Sequence, residues 1–594
     1  MPKTMPLPTS PSLAAMRYTL KPLFPDAHLF EITCRVSKPD AAGQRFSLPA
    51  WIPGSYLIRE FSRHIVRIRA EAAGKTVALE KQDKATWQAA PCEGALTLIY
   101  QVYAADVSAR GAYLDRQRAF FNASSVFLRA HGWEDAPHEV ELLPPDFAPD
   151  WQAATSLARA GAAPWGFGAY QAKNYADLLD HPVEMGRFTR MEFMVDGVAH
   201  HLVVTENAAF QGERLCRDLA RVCAEQMALF GPPRLSEPYL FLLAATDAGY
   251  GGLEHRNASV LLAAHDDLPA PSLPETETPE NYVRLLGLCS HEYFHRWNVK
   301  RIRPAEFVAP DDQRETYTRL LWFSEGFTAY YDDLELVRAG VIDEKRYLGL
   351  LAKTLSQVKG TPGRAAQSLA ESSFDAWIKY YRPDENSLNA GISYYLKGAW
   401  IALWLDLRLR RKAASLDGLM RRLWRDYGSR DKGLTEADIY AAVALLGGKA
   451  LARALKTAVE GTRDPPLKRL LAQTGVKLDW QAENGGKVPW LGLRHTSSEG
   501  RLCIRAVLSG SPAEQAGLAA GDALLALAGR EITAQNLESR LVVDTPVECH
   551  YFRRGQLCVT TLTPCSPPAN TALLTPLSGK TARERRQEWL GTKR

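Results

Sequence analysis

The sequence lacks paired cysteines, long apolar runs and an apolar segment at its N-terminus. It has nine cysteines, an odd number, and no CxxC pair, so neither a cysteine-based zinc site nor a disulfide framework is predicted. No apolar run reaches the length of about 18 residues that a membrane-spanning helix needs, and nothing resembles the apolar core of a signal peptide. We therefore expect reduced thiols, no membrane partner and a cytoplasmic location.

A strong excess of either charge is also absent. The net charge is +5 over 594 residues, with 46% apolar and 23% charged residues, which is typical of an ordinary globular protein with three or four domains. A basic run at 408–425 is interleaved with leucines at core spacing, so we interpret it as the solvated side of packed helices. No nucleic-acid partner is expected.

The stretch with the clearest chemistry is His291-Glu292-Tyr293-Phe294-His295. Two histidines four positions apart lie on one face of a helix and can bind one metal ion, and Glu292 can take a proton from water activated there. Thr278-Pro279-Glu280 predicts the start of this helix, with Thr278 as N-cap, and places the motif well inside it. The alternative is a pair of histidines packed on a buried face.

A catalytic zinc ion usually has three protein ligands and one open position for water. The best third ligand is Glu325, 30 positions after His295, in Trp322-Phe323-Ser324-Glu325-Gly326-Phe327. We expect one Zn²⁺ per chain, bound by these two histidines and Glu325, with Glu292 as general base for attack on a peptide carbonyl. Glu325 taken alone would be an ordinary exposed helix residue.

Two further segments can complete such a site. A second electrophile is needed for the developing oxyanion, and Tyr395 is the preferred candidate, with Tyr394 as the runner-up. The alternative is that both tyrosines only pack against their neighbours. Gly251-Gly252-Leu253-Glu254-His255 puts the Glu254 carboxylate after a flexible stretch at a strand edge, where it can bind the α-ammonium group of a peptide. Alternatively, these glycines form a turn and Glu254 is a surface residue.

Periodicity along the chain predicts a multidomain α+β protein. Alternation at 96–102 and the Asp196-Gly197 turn signal predict a β-rich N-terminal domain, followed by a helix, strands and two helices typical of an α/β peptidase core. The predicted segments are a flexible N-terminus at 1–16, a β-rich domain at 17–205, a zinc peptidase domain at 206–344, a helical domain at 345–480, a small domain of short strands at 488–565 and a tail at 566–594.

These residues together resemble the glycyl aminopeptidase family, zinc peptidases of the gluzincin type related to aminopeptidase N. The resemblance rests on the HExxH motif continuing through Trp297-Asn298-Val299-Lys300-Arg301-Ile302-Arg303-Pro304, on Ser324-Glu325-Gly326-Phe327, on Gly251-Gly252-Leu253-Glu254-His255, and on Trp51-Ile52-Pro53-Gly54-Ser55-Tyr56.

The resemblance implies a thermolysin-like catalytic domain, a helical domain, a C-terminal PDZ domain and removal of small N-terminal residues such as Gly or Ala. It gives Glu254 the role of amine-binding glutamate, with Gly251 and Gly252 beside the substrate, and Tyr395 that of catalytic tyrosine. The interval from His295 to Glu325 is longer than in aminopeptidase N, which leaves exopeptidase or endopeptidase action open.

Residues 488–565 also resemble a PDZ domain on their own pattern. Trp490-Leu491-Gly492-Leu493 is similar to a loop whose backbone N–H groups bind the C-terminal carboxylate of a peptide. We expect a C-terminal peptide ligand at Leu491, Gly492 and Leu493, or else a domain that packs on the peptidase and binds nothing. The function predicted is a zinc aminopeptidase, with a PDZ-assisted endopeptidase or an inactive PDZ scaffold as alternatives.

Overall fold

The computed structural model describes residues 15–205, 209–498 and 500–592. Of the predicted flexible N-terminus, residues 1–14 lie outside the described residues. The chain divides into two compact units. The first contains the described residues up to Ala220, together with Leu235–Arg296 and Pro310–Thr316, and the second contains Arg221–Arg234, Trp297–Ala309 and the described residues from Tyr317 onward.

Strands dominate the first unit. They are β1 Met16–Phe24, β2 Leu29–Val36, β3 Arg45–Ser47, β4 Ile65–Ala72, β5 Lys75–Val77, β6 Leu79–Lys81, β7 Thr86–Ala89, β8 Leu96–Tyr103, β9 Ala112–Leu114, β10 Arg118–Phe121, β11 Arg129–Ala130, β12 His138–Leu142, β13 Gln152–Thr155, β14 Ala158–Arg159, β15 Gly168–Ala172, β16 Val183–Gly186, β17 Thr189–Val195, β18 Val198–Thr205, β19 Tyr239–Thr246, β20 Gly251–Glu254 and β21 Ala258–Ala264.

These strands form an eight-stranded sheet in the order β14-β15-β12-β1-β2-β8-β4-β5 and two four-stranded sheets, β13-β16-β10-β9 and β11-β3-β7-β6. Strict alternation along β8 buries Leu96, Leu98, Tyr100 and Val102, because successive side chains of a strand point to opposite faces. The predicted β-rich N-terminal region is therefore confirmed.

The edge strand of a five-stranded sheet carries the predicted segment Gly251–Glu254. The five-stranded sheet has the order β17-β18-β19-β21-β20, with β18, β19 and β21 parallel and the two outer strands antiparallel to their neighbours. Asp196 and Gly197 both have positive φ, 48° and 80°, in the turn between β17 and β18, as a two-residue hairpin requires. Strand β20, which carries Gly251, Gly252 and Glu254, lies at the sheet's edge.

Three helices belong to this part of the chain: α1 Tyr175–Leu179, α2 Gly212–Phe230, which continues into the second unit, and α3 Glu280–Phe294. Helix α3 begins at Glu280 with Pro279, not Thr278, as its N-cap, so the predicted cap was wrong by one residue. The motif is also not well inside the helix. His295 is the C-cap, and the Arg296 N–H donates to the Tyr293 carbonyl, which closes the last turn.

The second unit begins with a helical region. Its helices are α4 Leu321–Arg338, α5 Glu344–Gly360, α6 Leu369–Phe374, α7 Ser387–Ala390, α8 Tyr394–Arg410, α9 Leu416–Asp426, α10 Glu436–Gly447, α11 Lys449–Glu460 and α12 Lys468–Gln473. Helices α4 and α8 cross closely at Gly326 and Gly398, where a Cβ atom on Gly326 would lie 2.5 Å from the Gly398 Cα. The predicted helical region is confirmed.

The rest of the second unit consists of short strands and two helices, with bounds β22 Val476–Gln481, β23 Leu493–Ser498, β24 Arg501–Val507, α13 Pro512–Gln515, β25 Ala523–Leu527, β26 Arg530–Glu531, β27 Val547–Arg553, β28 Gln556–Leu562, β29 Thr571–Pro576 and α14 Lys580–Leu590. Strands β22 and β29 pair with each other, and β23 to β28 form one sheet with its own apolar core. That this sheet is a PDZ domain stays a prediction.

All nine cysteines lie in the described residues and all are free thiols. Among the described helices, none combines the length and the apolar character needed to cross a bilayer.

Candidate active site

The two histidines of the motif lie side by side at the C-terminal end of α3. Their ring centroids are 4.7 Å apart and the ring planes are nearly perpendicular, at 84°. His295 is buried, with 2% of its surface exposed, and His291 is partly exposed. Positions i and i+4 of one helix therefore present both imidazoles on the same face, as the spacing predicts.

Glu325 lies in the first turns of α4 and is 2% exposed. His291, His295 and Glu325 form a candidate metal-binding group, in which each residue offers one ligand atom and the three atoms lie within 4.8 Å of one another. Two imidazole nitrogens and one carboxylate are a donor set that suits zinc and leaves a coordination position for solvent. The residues present therefore fit a catalytic zinc ion. An exposed helix glutamate, the alternative for Glu325, is excluded by its burial.

Glu292 faces β20 from α3. A Cβ atom placed on Gly252 would lie 2.0 Å from the Glu292 Oε1 atom, so the carboxylate rests against the glycine backbone in space that any side chain would fill. The backbone carbonyl of Glu292 also accepts a hydrogen bond from the Tyr239 hydroxyl, at 3.3 Å. Gly252 thus makes room for Glu292, a role that sequence analysis did not assign to it.

Glu254 is 5% exposed, which contradicts the alternative of a surface residue after a glycine turn. Glu254, Glu292 and His295 form a second group whose ligand atoms lie within 4.8 Å of one another. The Glu254 carboxylate packs on Gly54, where an added Cβ would lie 2.5 Å and 2.6 Å from its two oxygens. Gly54 has a φ of +94°, a region that favours glycine.

Arg110 is a site neighbour that no motif indicated. It is partly buried, and its guanidinium donates to the Gly252 carbonyl at 3.1 Å. The contact joins a loop of the β-rich region to the edge strand β20. Since the two residues are 142 positions apart, only the folded structure could reveal it.

Tyr395 and Tyr394 lie in the first turn of α8, which the Ser393 hydroxyl caps by accepting from the Leu396 N–H. Tyr394 is fully buried and Tyr395 is partly exposed, so Tyr395 is the better placed of the two for contact with a substrate. Loss of hydration raises the pKa of Tyr395 well above its ordinary value, and the negative charge of the nearby Glu325 carboxylate raises it further. Its hydroxyl therefore stays protonated at neutral pH and has a hydrogen to donate.

Tyr380 extends this aromatic cluster. Its ring stacks on Tyr395 at 5.5 Å and lies 4.7 Å from the Tyr394 ring. Partial loss of hydration raises the pKa of Tyr380, opposed by a hydrogen bond with Ser393 and supported by the Glu325 carboxylate. Sequence analysis did not single out Tyr380, because nothing local connects position 380 with position 395.

Asn298, just after the motif, holds the backbone of α4 near Glu325. Its side-chain amide donates to the Phe323 carbonyl at 3.2 Å, to the Ser324 carbonyl at 2.9 Å and to the Thr328 hydroxyl at 3.1 Å, and the residue is fully buried. The segment that follows His295 is therefore tied to the helix that carries Glu325. Sequence analysis did not predict this role of Asn298.

Behind α3, a buried polar network holds the helix. The His200 Nδ1–H donates to the Val198 carbonyl at 3.0 Å, and the Nε2 of the neutral ring accepts from the Tyr293 hydroxyl at 2.8 Å. Burial, opposed by the Val198 carbonyl and reinforced by the positive charge of Arg296, lowers the pKa of His200 to about 4. His200 is therefore neutral at pH 7 and fixes the back of the motif helix through Tyr293.

The loop predicted to bind a carboxylate lies at the start of the small C-terminal sheet. The Leu491 carbonyl accepts from the Ala513 N–H at 3.0 Å and the Gly492 carbonyl from the Leu508 N–H at 2.7 Å. Gly492 has a φ of +71°, and Leu493 begins β23, the edge strand of its sheet.

Two family profiles match the sequence. The profile of the peptidase M61 N-terminal domain matches residues 17–187, and that of the M61 glycyl aminopeptidases matches residues 284–401, which includes the HExxH motif, Glu325 and Tyr395. Comparison with curated proteins gives no match.

The chain is also similar to solved structures of peptidases. The chain is similar to an aminopeptidase N family protein from Idiomarina loihiensis, with 36% identity, a TM-score of 0.93, and coverage of 97% of this chain and 100% of that one. An M1 zinc metallopeptidase from Deinococcus radiodurans is more distant, with 16% identity, a TM-score of 0.46, and coverage of 77% of this chain and 96% of that one. The second similarity is too low to support an assignment.

Proposed function

The chain belongs to the peptidase M61 family and is a metallopeptidase, and from that premise we propose that it is a zinc-dependent aminopeptidase that removes N-terminal residues from peptides. Small residues such as Gly and Ala are the proposed preference, in keeping with the name of the glycyl aminopeptidase profile. The observation that carries the proposal is the group of His291, His295 and Glu325, with Glu292 and Glu254 beside it.

His291, His295 and Glu325 would hold the metal ion. Zinc bound there supplies a Lewis acid that polarises water and the scissile carbonyl. Burial of His295 and Glu325 supports this role, because ionised carboxylates are rarely buried unless they are paired or coordinate a metal.

Glu292 would act as the general base. Its carboxylate can take a proton from the attacking water and deliver it to the nitrogen of the leaving peptide, as efficient proton transfer requires a group within hydrogen-bond reach. The contact with Gly252 supports this role, since it leaves the carboxylate little freedom to turn away. Restricted motion of a reacting group lowers the entropic part of the barrier.

Glu254 would bind the free α-ammonium group of the substrate. Glu254 and Glu292 are both 5% exposed and lie in one group with His295. Two buried carboxylates repel each other unless a cation lies near them, and a substrate ammonium ion supplies that charge. Gly251 and Gly252, on the edge strand β20, would lie along the substrate backbone.

Tyr395 would donate a hydrogen bond to the developing oxyanion. Its partial exposure and its raised pKa support this role, because a donor that remains protonated stabilises negative charge as it forms. Tyr394, which is fully buried, remains the alternative only if α8 moves on substrate binding.

Glu292→Gln tests the proposal. We expect the variant to keep its zinc and to lose at least about a hundredfold in kcat on alanine anilide, the usual contribution of a general base. The same assay should include peptides with blocked N-termini. Cleavage of free-amine substrates alone supports an aminopeptidase, cleavage of blocked peptides supports an endopeptidase, and binding of both without turnover supports a scaffold.

Residues 488–565 carry a second proposal, a PDZ domain that binds a peptide C-terminus at Leu491, Gly492 and Leu493. The observation in its favour is that β23 is an edge strand, to which an extended peptide can add by backbone hydrogen bonds. An array of C-terminal peptides, probed with the full chain and with Gly492→Val, tests it. Loss of all selective binding in the variant is expected, and absence of binding by the natural chain contradicts it.

We also propose a cytoplasmic location, which the nine free thiols support, because oxidising compartments favour disulfides. Fractionation of cells that produce the full chain is the direct test. Recovery of the protein outside the cytoplasm would refute this location without affecting the enzymatic proposal.

A further inference from the structure

A cavity of about 710 Å³ lies within the second unit. One wall is formed by the C-terminal end of α5 and by residues between 378 and 396, and the other by Trp490, Arg494 and Leu508 with the segment around Asn570. The volume falls inside the range of about 300 to 1,000 Å³ that small-ligand sites occupy. The residues assigned to metal binding and to catalysis do not line this cavity.

The cavity begins at the aromatic cluster of the candidate active site. Tyr380 and Ser393 both line it. Tyr380 stacks on Tyr395, and Ser393 caps the helix that carries Tyr395. One end of the cavity therefore lies next to the side chain proposed to contact the scissile carbonyl.

A buried hydrogen-bond donor, the side-chain amide of Gln367, belongs to the wall of this cavity. Gln367 lines the cavity and is 4% exposed. Its Oε1 accepts from the Ile392 N–H at 3.2 Å, whereas its Nε2 has no hydrogen-bond partner among the described residues. Because an unsatisfied buried amide costs free energy, a ligand carbonyl or carboxylate oxygen is the kind of partner that Gln367 would take.

The charged residues of the lining favour an anionic group. The cations are Lys379, Arg382 and Arg494, and the acids are Asp384 and Glu483. Lys379 pairs with Asp375 at 2.8 Å, and Asp384 accepts from Asn386 and Ser387 in its own turn. Arg382 and Arg494, both exposed, are left as the guanidinium groups available to bind a carboxylate.

We propose that this cavity binds the part of a peptide substrate that follows the scissile bond, and that Arg382 and Arg494 bind its C-terminal carboxylate. The inference rests on the proposed function. An aminopeptidase holds one residue on the N-terminal side of the scissile bond, so the rest of the chain must extend from the other side of that bond. The cavity lies beside Tyr380, whose ring stacks on Tyr395, and we assign it to that part of the chain, with Gln367 as the donor to a peptide carbonyl.

Short peptides with a free C-terminus are therefore the preferred substrate class. The test compares alanyl-triglycine as the free acid and as the C-terminal amide, with both values of kcat/KM normalised to alanine anilide, which has no peptide beyond the scissile bond. We expect the natural enzyme to prefer the acid about tenfold, the usual gain from charge-assisted hydrogen bonds.

Three substitutions test whether the cavity residues cause the preference for the free acid over the amide. Arg382→Gln and Arg494→Gln should each lower the ratio of acid to amide about three- to fivefold. Gln367→Glu keeps the acceptor for the Ile392 N–H and replaces the buried donor by a negative charge, so it should raise KM for the acid most of all. Arg411→Gln and Gln473→Glu, exposed residues outside the cavity, are the matched controls and should leave the ratio unchanged.

An acid-to-amide ratio near one in the natural enzyme, or a ratio unaffected by all three cavity variants, would overturn the inference. A ratio that falls equally in the controls would do the same. Failure of the proposed function looks different, because the anilide itself would not be hydrolysed.

Discussion

Replacing Gly252 by alanine should move the general base without touching a metal ligand. The added Cβ would lie 2.0 Å from the Glu292 Oε1 atom, whereas carbon and oxygen that are not bonded approach to roughly 3.4 Å. The carboxylate must therefore shift by more than about 1 Å. Misplacement of a reacting group by about 1 Å costs about a hundredfold in rate, or about 2.7 kcal/mol in the activation barrier.

The assay is kcat on alanine anilide, measured together with zinc content and with the melting temperature. We expect Gly252→Ala to keep its zinc, because the change adds no atom to His291, His295 or Glu325, and to lose about two orders of magnitude in kcat. Gly349→Ala is the matched control, since it lies in α5 with open space around its Cα. It should keep full activity and gain up to about 1 kcal/mol in helix stability.

Full activity of Gly252→Ala would refute the assignment of Glu292 as a base held against β20. Loss of zinc in parallel with activity would show that the substitution disturbs the metal site and not the base.

Three other results are expected. Glu254→Gln should lower kcat/KM for free-amine substrates about tenfold or more while changing blocked substrates little, because only the former present a cation, and equal losses would refute the amine contact. Asn298→Ala should weaken zinc binding about ten- to a hundredfold in a chelator competition, as second-sphere changes commonly do, through loss of the contacts that hold α4. Burial lowers the pKa of His200 to about 4 from 6.5, so the unfolded chain binds a proton that the folded chain does not. Unfolding free energy should therefore fall by up to about 3 kcal/mol as pH drops from 6.5 to 4, and His200→Gln should show less of this fall in urea titrations.

Local patterns were enough to predict the elements that carry the site. The i and i+4 spacing of His291 and His295, the alternation in β8 and the Asp196-Gly197 turn depend on residues close in sequence, and the structure has each of them. The ends of α3 were less predictable. Extended backbone at Pro279 makes it the N-cap, and the contact of Arg296 with Tyr293 ends the helix at the motif.

Contacts between distant segments were not predictable. Gly54 makes room for Glu254, Arg110 reaches Gly252 and Asn298 holds α4, and none of these pairs follows from spacing or composition. They depend on how sheets and helices pack, which a single sequence does not specify. The cavity at Gln367 was not predictable for the same reason, because its walls come from segments more than about 80 residues apart.

The most direct test of the zinc site is metal analysis of the purified chain and of Glu325→Gln by inductively coupled plasma mass spectrometry. One zinc ion per natural chain, and far less than one in the variant after dialysis against a weak chelator, is the expected result. No zinc in the natural chain, or equal zinc in both proteins, would contradict the assignment of His291, His295 and Glu325 as its ligands.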